Sequence, residues 1–139
     1  MYSRDYILRL IQQFARALIA LRNHILGREA DPADALAQIS EIAREAGLDL
    51  EIARTLDTSS LLMWLAPTTE LDPSRMWLMA ELRYLAALTS GATGRADLER
   101  ALAICQRLPA DWKPSDDFPT VGERVTEIRE LLERPDSGA

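Results

Sequence analysis

Ile7-Leu8-Arg9-Leu10-Ile11-Gln12-Gln13-Phe14-Ala15-Arg16-Ala17-Leu18-Ile19-Ala20-Leu21-Arg22-Asn23-His24-Ile25 is the stretch that decides the fold class. Ile7, Ile11, Phe14, Leu18, Leu21 and Ile25 recur at alternating steps of four and three, the spacing of one helix face and not of a strand. Leu8, Leu10, Ala15, Ala17, Ile19 and Leu26 widen that stripe, leaving the polar side to Arg9, Gln12, Gln13, Arg16 and Asn23. A helix this apolar needs cover on more than one side. Ser3 is placed to cap it and Gly27 to end it.

Asp31-Pro32 opens a second helix, with Asp at the cap, Pro at the first helical position and Asp34 in the first turn. Leu36, Ile39, Ile42, Ala43 and Ala46 form its inner face and Gly47 closes it, so residues 3–47 read as an antiparallel hairpin. Residues 48–67 read as a connector of two short helices, 48–57 and 60–65. The run Leu61 to Leu65 has the pattern of a buried strand but no partner strand elsewhere, and reads as helix. Asp72-Pro73 repeats the start signal for a second hairpin over 72–108, with Ser90 to Gly94 as its turn and Pro109 as its stop. Residues 109–119, with three prolines and Trp112, read as an irregular crossing. Thr120 then caps a last helix over 120–134, and 136–139 form a frayed tail. The expectation is all-α: antiparallel hairpins of a tetratricopeptide-like or α-bundle kind, about six helices, no sheet, in one domain over residues 1–135.

The balance of charge narrows the partners. A net charge of −6 opposes nucleic-acid binding, because phosphates would be repelled. Residues 1–27 carry +3, 28–72 carry −7, 73–107 carry +2 and 108–139 carry −4. Such alternation suits segments packed on one another or on a second copy. Cys105 is the single cysteine, so an intrachain disulfide is impossible and a reducing, cytoplasmic setting is expected. Asp5 stands where a secretory signal has its basic region, and no apolar run is long enough to span a membrane. Fifteen Arg against the single Lys113, with abundant Ala, point to a GC-rich bacterial genome.

Gly94-Arg95-Ala96-Asp97-Leu98-Glu99-Arg100-Ala101-Leu102 resembles the turn and second-helix start of a tetratricopeptide unit, and Leu108 with Pro109 to Pro114 resembles its close. The first helix of that unit departs from the pattern: Leu85, Thr89 and Ala92 replace the expected Trp, Gly and Tyr. Over residues 4–108 the chain is also similar to a family of short bacterial all-helical proteins without an assigned function. That likeness rests on Arg4 to Ile11, Gly47-Leu48-Asp49-Leu50, Leu71-Asp72-Pro73 and Arg95 to Ala101. It implies a helical fold and brings no catalytic residue.

The chemistry-bearing residues have plain structural readings. His24, the only histidine, falls in the last turn of the first helix, where a cation helps the carbonyl end. Cys105, amid Leu102, Ile104 and Leu108, reads as a small core residue. Gly91 to Gly94 lacks the preceding strand and following Lys of a phosphate loop. Glu123, Glu127 and Glu130, interspersed with Arg124, Arg129 and Arg134, read as a solvated face without the Glu-x-x-His of a di-metal site. The expected function is therefore a non-enzymatic protein–protein interaction or scaffold module without cofactor or metal, self-associating as a homodimer. Ile7, Leu10, Ile11, Phe14 and Leu18 are the candidate self-association surface. The alternative is a small-molecule sensor or carrier, with Met63, Trp64, Met76 and Trp77 lining an apolar groove. A membrane-surface role for the first helix is disfavoured, since its apolar arc is too wide and the core needs it.

Overall fold

The computed structural model describes residues 4–27, 31–48, 60, 73–90 and 94–133. Among them are five helices and no strand: α1 (Arg4–Leu26), α2 (Pro32–Glu45), α3 (Pro73–Ser90), α4 (Arg95–Cys105) and α5 (Val121–Glu133). The Ser3 and Asp72 caps, most of the connector with Met63 and Trp64, the 91–93 turn and the 136–139 tail lie outside the described residues. Of the connector, Leu48 is buried and Ser60 is helical. Among the described residues no helix is long and apolar enough to cross a membrane.

The helix boundaries have local causes. Asp31 sits in extended backbone ahead of Pro32, but its carboxylate makes no cap hydrogen bond; the fixed φ of proline is what starts α2. Gly47 ends α2 in left-handed conformation, at φ 74°. The Gly47 amide donates to the Arg44 carbonyl and the Leu48 amide to Ala43, while Leu48 folds into the core. This is a Schellman closure, which favours glycine because a Cβ is strained there. At α5, the Glu123 amide donates to Thr120 Oγ1 and the Thr120 hydroxyl to Glu123 Oε1, satisfying one of the free amides at the helix start.

Helix α3 is the centre of the molecule. It packs on α1, α2 and α4, and α5 packs on α4. Met76 through Leu85 are buried without a break, so this helix has no solvent face over its middle turns. The helical period divides it into three sides. Met76, Ala80, Arg83 and Ala87 share one; Ala87 meets Gly94 so closely that a Cβ on Gly94 would stand 2.5 Å from the Ala87 carbonyl oxygen. Trp77, Glu81 and Tyr84 share the second. Leu78, Leu82 and Leu85 make a third, wholly apolar side.

The segment between α4 and α5 is the irregular crossing expected from its prolines. It folds back on the second side of α3: Trp77 packs edge-on to Phe118 at 5.1 Å between ring centres and lies 6.1 Å from Trp112. The Val121 amide donates to the Trp112 carbonyl and the Gly122 amide to Ala110, fixing where α5 begins. Cys105 is a buried thiol on α4. His24 is in the last turn of α1 and exposed, as its position in the sequence requires.

Candidate functional site

Glu81, Arg83 and Tyr84, in the middle of α3, lie inside the protein and between them reach α1, α4 and α5. Glu81 and Arg83 are only 3% and 2% exposed. Glu81 meets Arg124 of α5 in a two-pronged pair, with Nε donating to Oε1 at 3.1 Å and Nη2 to Oε2 at 3.0 Å. The remaining Arg124 nitrogen, Nη1, donates to Glu127 Oε1 at 2.7 Å. Tyr84 donates its hydroxyl proton to Glu127 Oε2 and accepts from Arg22 Nε of α1 at 2.8 Å. Arg22 Nη2 completes the circuit on Glu127 Oε2 at 2.9 Å. On the opposite side of α3, Arg83 Nη1 donates to Asp97 of α4 at 2.8 Å. The Arg124 guanidinium also lies over the Tyr84 ring, 4.2 Å from its centre, a favourable placement of a cation on a π face.

The electrostatics follow from this packing. Burial pushes the Glu81 carboxyl up from its ordinary value, against the pull of Arg124. Burial also pushes Glu127 up, but hydrogen bonds from Tyr84 and Arg22 and the charge of Arg124 outweigh it and hold that carboxyl below its ordinary range. The Tyr84 phenol rises to about 12, first because it is buried and then because its proton is held by Glu127. The Cys105 thiol rises to about 12 by burial, helped by the nearby Glu81 charge. A thiol so placed carries almost no thiolate near neutrality and is a poor nucleophile. Two cations and two anions therefore balance one another here, and their hydrogen bonds tie α1, α3 and α5 together.

A cleft of about 260 Å³ opens beside this circuit, lined by Leu18, Ile19, Arg22 and Asn23 of α1, Asp117 to Pro119, and Glu81, Arg124 and Glu127. It is not the groove expected from the sequence. Met76 and Trp77 are sealed in the core at 1% and 3% exposure, Trp77 by Trp112 and Phe118, while Met63 and Trp64 fall outside the described residues. Of the expected self-association stripe, Leu10, Ile11 and Leu18 are 6%, 1% and 1% exposed. Helix α3, packed against α1, takes the stripe into the protein's own core, so these three have no surface to offer a second copy. Phe14 is partly buried against that core; the Ile7 side chain is not among those described. Glu127, expected on a solvated face, is half-buried in the circuit, whereas Glu123 and Glu130 do face water. Among the described residues, no group of three His, Cys, Asp or Glu side chains stands close enough to hold a metal ion.

Sequence reasoning missed Glu81, Arg83, Arg124 and Arg22 as a set. A signal was present: Glu81 and Arg83 follow Met76-Trp77-Leu78-Met79-Ala80 and precede Tyr84-Leu85-Ala86-Ala87-Leu88. Charges embedded in a helix that is apolar on every side have to be buried, and a buried charge has to be paired.

Removing one partner of the Glu81–Arg124 pair leaves an uncompensated buried charge. Arg124→Met is expected to lower unfolding free energy by about 3–5 kcal/mol, and Glu81→Leu added to it to restore most of that loss. Urea melts of the two single variants and the double variant check this; a cost under about 1 kcal/mol for Arg124→Met alone contradicts the assignment. The raised phenol gives a second test. Tyr84 keeps its proton to about pH 12 when folded but loses it near 10 when unfolded, so its contribution is intact below pH 10 and disappears as pH rises toward 12. Cys105 acts with the same sign from its ordinary 9.0 upward. Of the three tyrosines, the one removed by Tyr84→Phe should show its 295 nm ionisation near pH 12. A value near 10 for that residue in the folded protein contradicts the buried circuit.

Compared with protein-family models, curated proteins and solved structures, the chain matches none of them.

Proposed function

We propose that the protein is a non-enzymatic helical interaction module that pairs with a second copy of itself. The observation that carries this reading is the position of Leu26 and Leu36, the large apolar side chains left exposed among the described residues, at 51% and 40%. Leu26 ends α1 and Leu36 lies in the first turns of α2, the next helix in the chain, and α1 and α2 pack on one another. Exposed leucines so placed favour a partner. Charge supports a twofold arrangement: residues 1–27 carry +3 and residues 28–72 carry −7, so the basic segment of one protomer complements the acidic segment of its partner. This contact replaces the inward-facing stripe of Leu10, Ile11 and Leu18.

The non-enzymatic part of the reading is supported by how the ionisable interior is spent. Glu81, Arg83, Arg124 and Glu127 are engaged in pairs that join helices: Glu81 with Arg124, Arg83 with Asp97 and Glu127 with Arg22. Relationship to tetratricopeptide-like hairpins belongs to the same proposal; its support is the close seating of Gly94 on Ala87 and the complete burial of Ala101 on α4. A reducing, cytoplasmic setting belongs to it as well, supported by the lone cysteine being buried.

Light scattering at about 50 μM should return the mass of a dimer, as expected for micromolar association. Leu26→Asp combined with Leu36→Asp should return the single-chain mass with Tm unchanged, because substitutions at exposed sites cost little stability. Single-chain mass for the unaltered protein at that concentration overturns the self-pairing.

A further inference from the structure

We infer that the cleft between α1, α5 and the Asp117–Pro119 turn is a binding site for a small primary ammonium compound with an apolar body. The inference is independent of self-pairing. Ile19 and Pro119 supply the accessible apolar wall, with the buried Leu18 and Phe118 behind them, and Arg22, Asn23, Asp117 and Glu127 the polar lining nearer solvent. Its volume of about 260 Å³ exceeds the roughly 150 Å³ that encloses a benzene-sized molecule.

The sign of the ligand charge comes from which groups are already committed. Arg124 is bound by Glu81 and Glu127, and Arg22 by Glu127. An anion on the unengaged Nη1 of Arg22 would meet a cation whose charge Glu127 already neutralises, and would face the Asp117 carboxylate as well. A cation displaces nothing. Asp117 is exposed at the cleft, and no described residue pairs with its carboxylate. A carboxylate offers about four acceptor positions; Glu127 uses one on Oε1, toward Arg124, and two on Oε2, toward Arg22 and Tyr84. One acceptor position on Oε1 is therefore left, on a side chain that is 30% exposed. The Asn23 amide adds a neutral acceptor. Among the cleft's charged groups, Arg22, Arg124, Glu81, Glu127 and Asp117, the excess is one negative charge, and Asp117 is the group that carries it. An ammonium head set toward Asp117 and Glu127 places an attached ring or short chain against Ile19 and Pro119.

Calorimetric titration of the full chain with 2-phenylethylammonium, phenylacetate and 2-phenylethanol tests the site with three near-isosteric probes. The ammonium should bind saturably with Kd near or below about 1 mM, and the alcohol and the carboxylate at least about tenfold more weakly. Asp117→Asn changes an exposed side chain and leaves the fold intact; it should weaken the ammonium by about fivefold to tenfold and leave the alcohol unchanged. Added salt should weaken the ammonium alone. Carboxylate binding as tight as ammonium, no saturation by the ammonium at about 10 mM, or an Asp117→Asn variant that binds it unchanged overturns the inference.

Discussion

A carboxylate and a guanidinium meet inside this protein where neither could remain alone. Glu81 and Arg124 are each about 5% exposed or less, and their side chains are joined by two hydrogen bonds. Separating them would leave a charge in a medium that cannot solvate it. This fixes more than two residues. Glu81 stands at the middle of α3, and Arg124 in the first turn of α5, so the pair sets both the height and the rotation of α5. Glu127, one turn later, then comes within reach of Tyr84 and Arg22, and through Arg22 the constraint reaches α1. Arg83 makes the corresponding bond to α4 through Asp97. The ion pairs on the surface, such as Arg95–Glu99 and Lys113–Asp116, carry no comparable weight, because water screens them.

Apolar packing supplies the stabilisation that the circuit directs. Met76, Leu78, Met79, Leu82 and Leu85 of α3 are all buried, and burial of that kind is non-directional. It would tolerate α3 turned about its axis or shifted by a residue. Three polar groups on two sides of the helix, with partners on α1, α4 and α5, would not. Polar interiors bring such specificity only when satisfied, and Arg124 has every nitrogen engaged. The aromatic contact of Trp77 with Trp112 and Phe118 lies on the same side as Glu81 and Tyr84, and holds the crossing segment that leads into α5.

The helical class and most helix limits were legible, because period, proline and glycine act locally. Ile11, Leu18 and Leu21 repeat at helical steps whatever covers them; Pro32 starts α2 and Gly47 closes it through backbone conformation alone. What covers the stripe was not legible. Leu10, Ile11 and Leu18 read equally well as a surface for a second copy or as core, and only the tertiary position of α3 decides between them. The same holds for Glu127, whose neighbours Glu123 and Glu130 do face water. Burial of one acid among three at helical spacing depends on Tyr84 and Arg22, which are 43 and 105 residues away in the chain. Pairing at that distance leaves no trace in local pattern, although the charges within apolar α3 mark one half of it.

If Glu81, Arg83 and Tyr84 lock α3 to its neighbours, the helix cannot open without the whole fold opening. Native-state hydrogen exchange measures this directly. The amides of Met79 to Leu85 are expected to exchange only through global unfolding, with an opening free energy equal to that from urea melts and the same dependence on denaturant. Exchange of those amides through a smaller opening, while the amides of α1 stay protected, would contradict it.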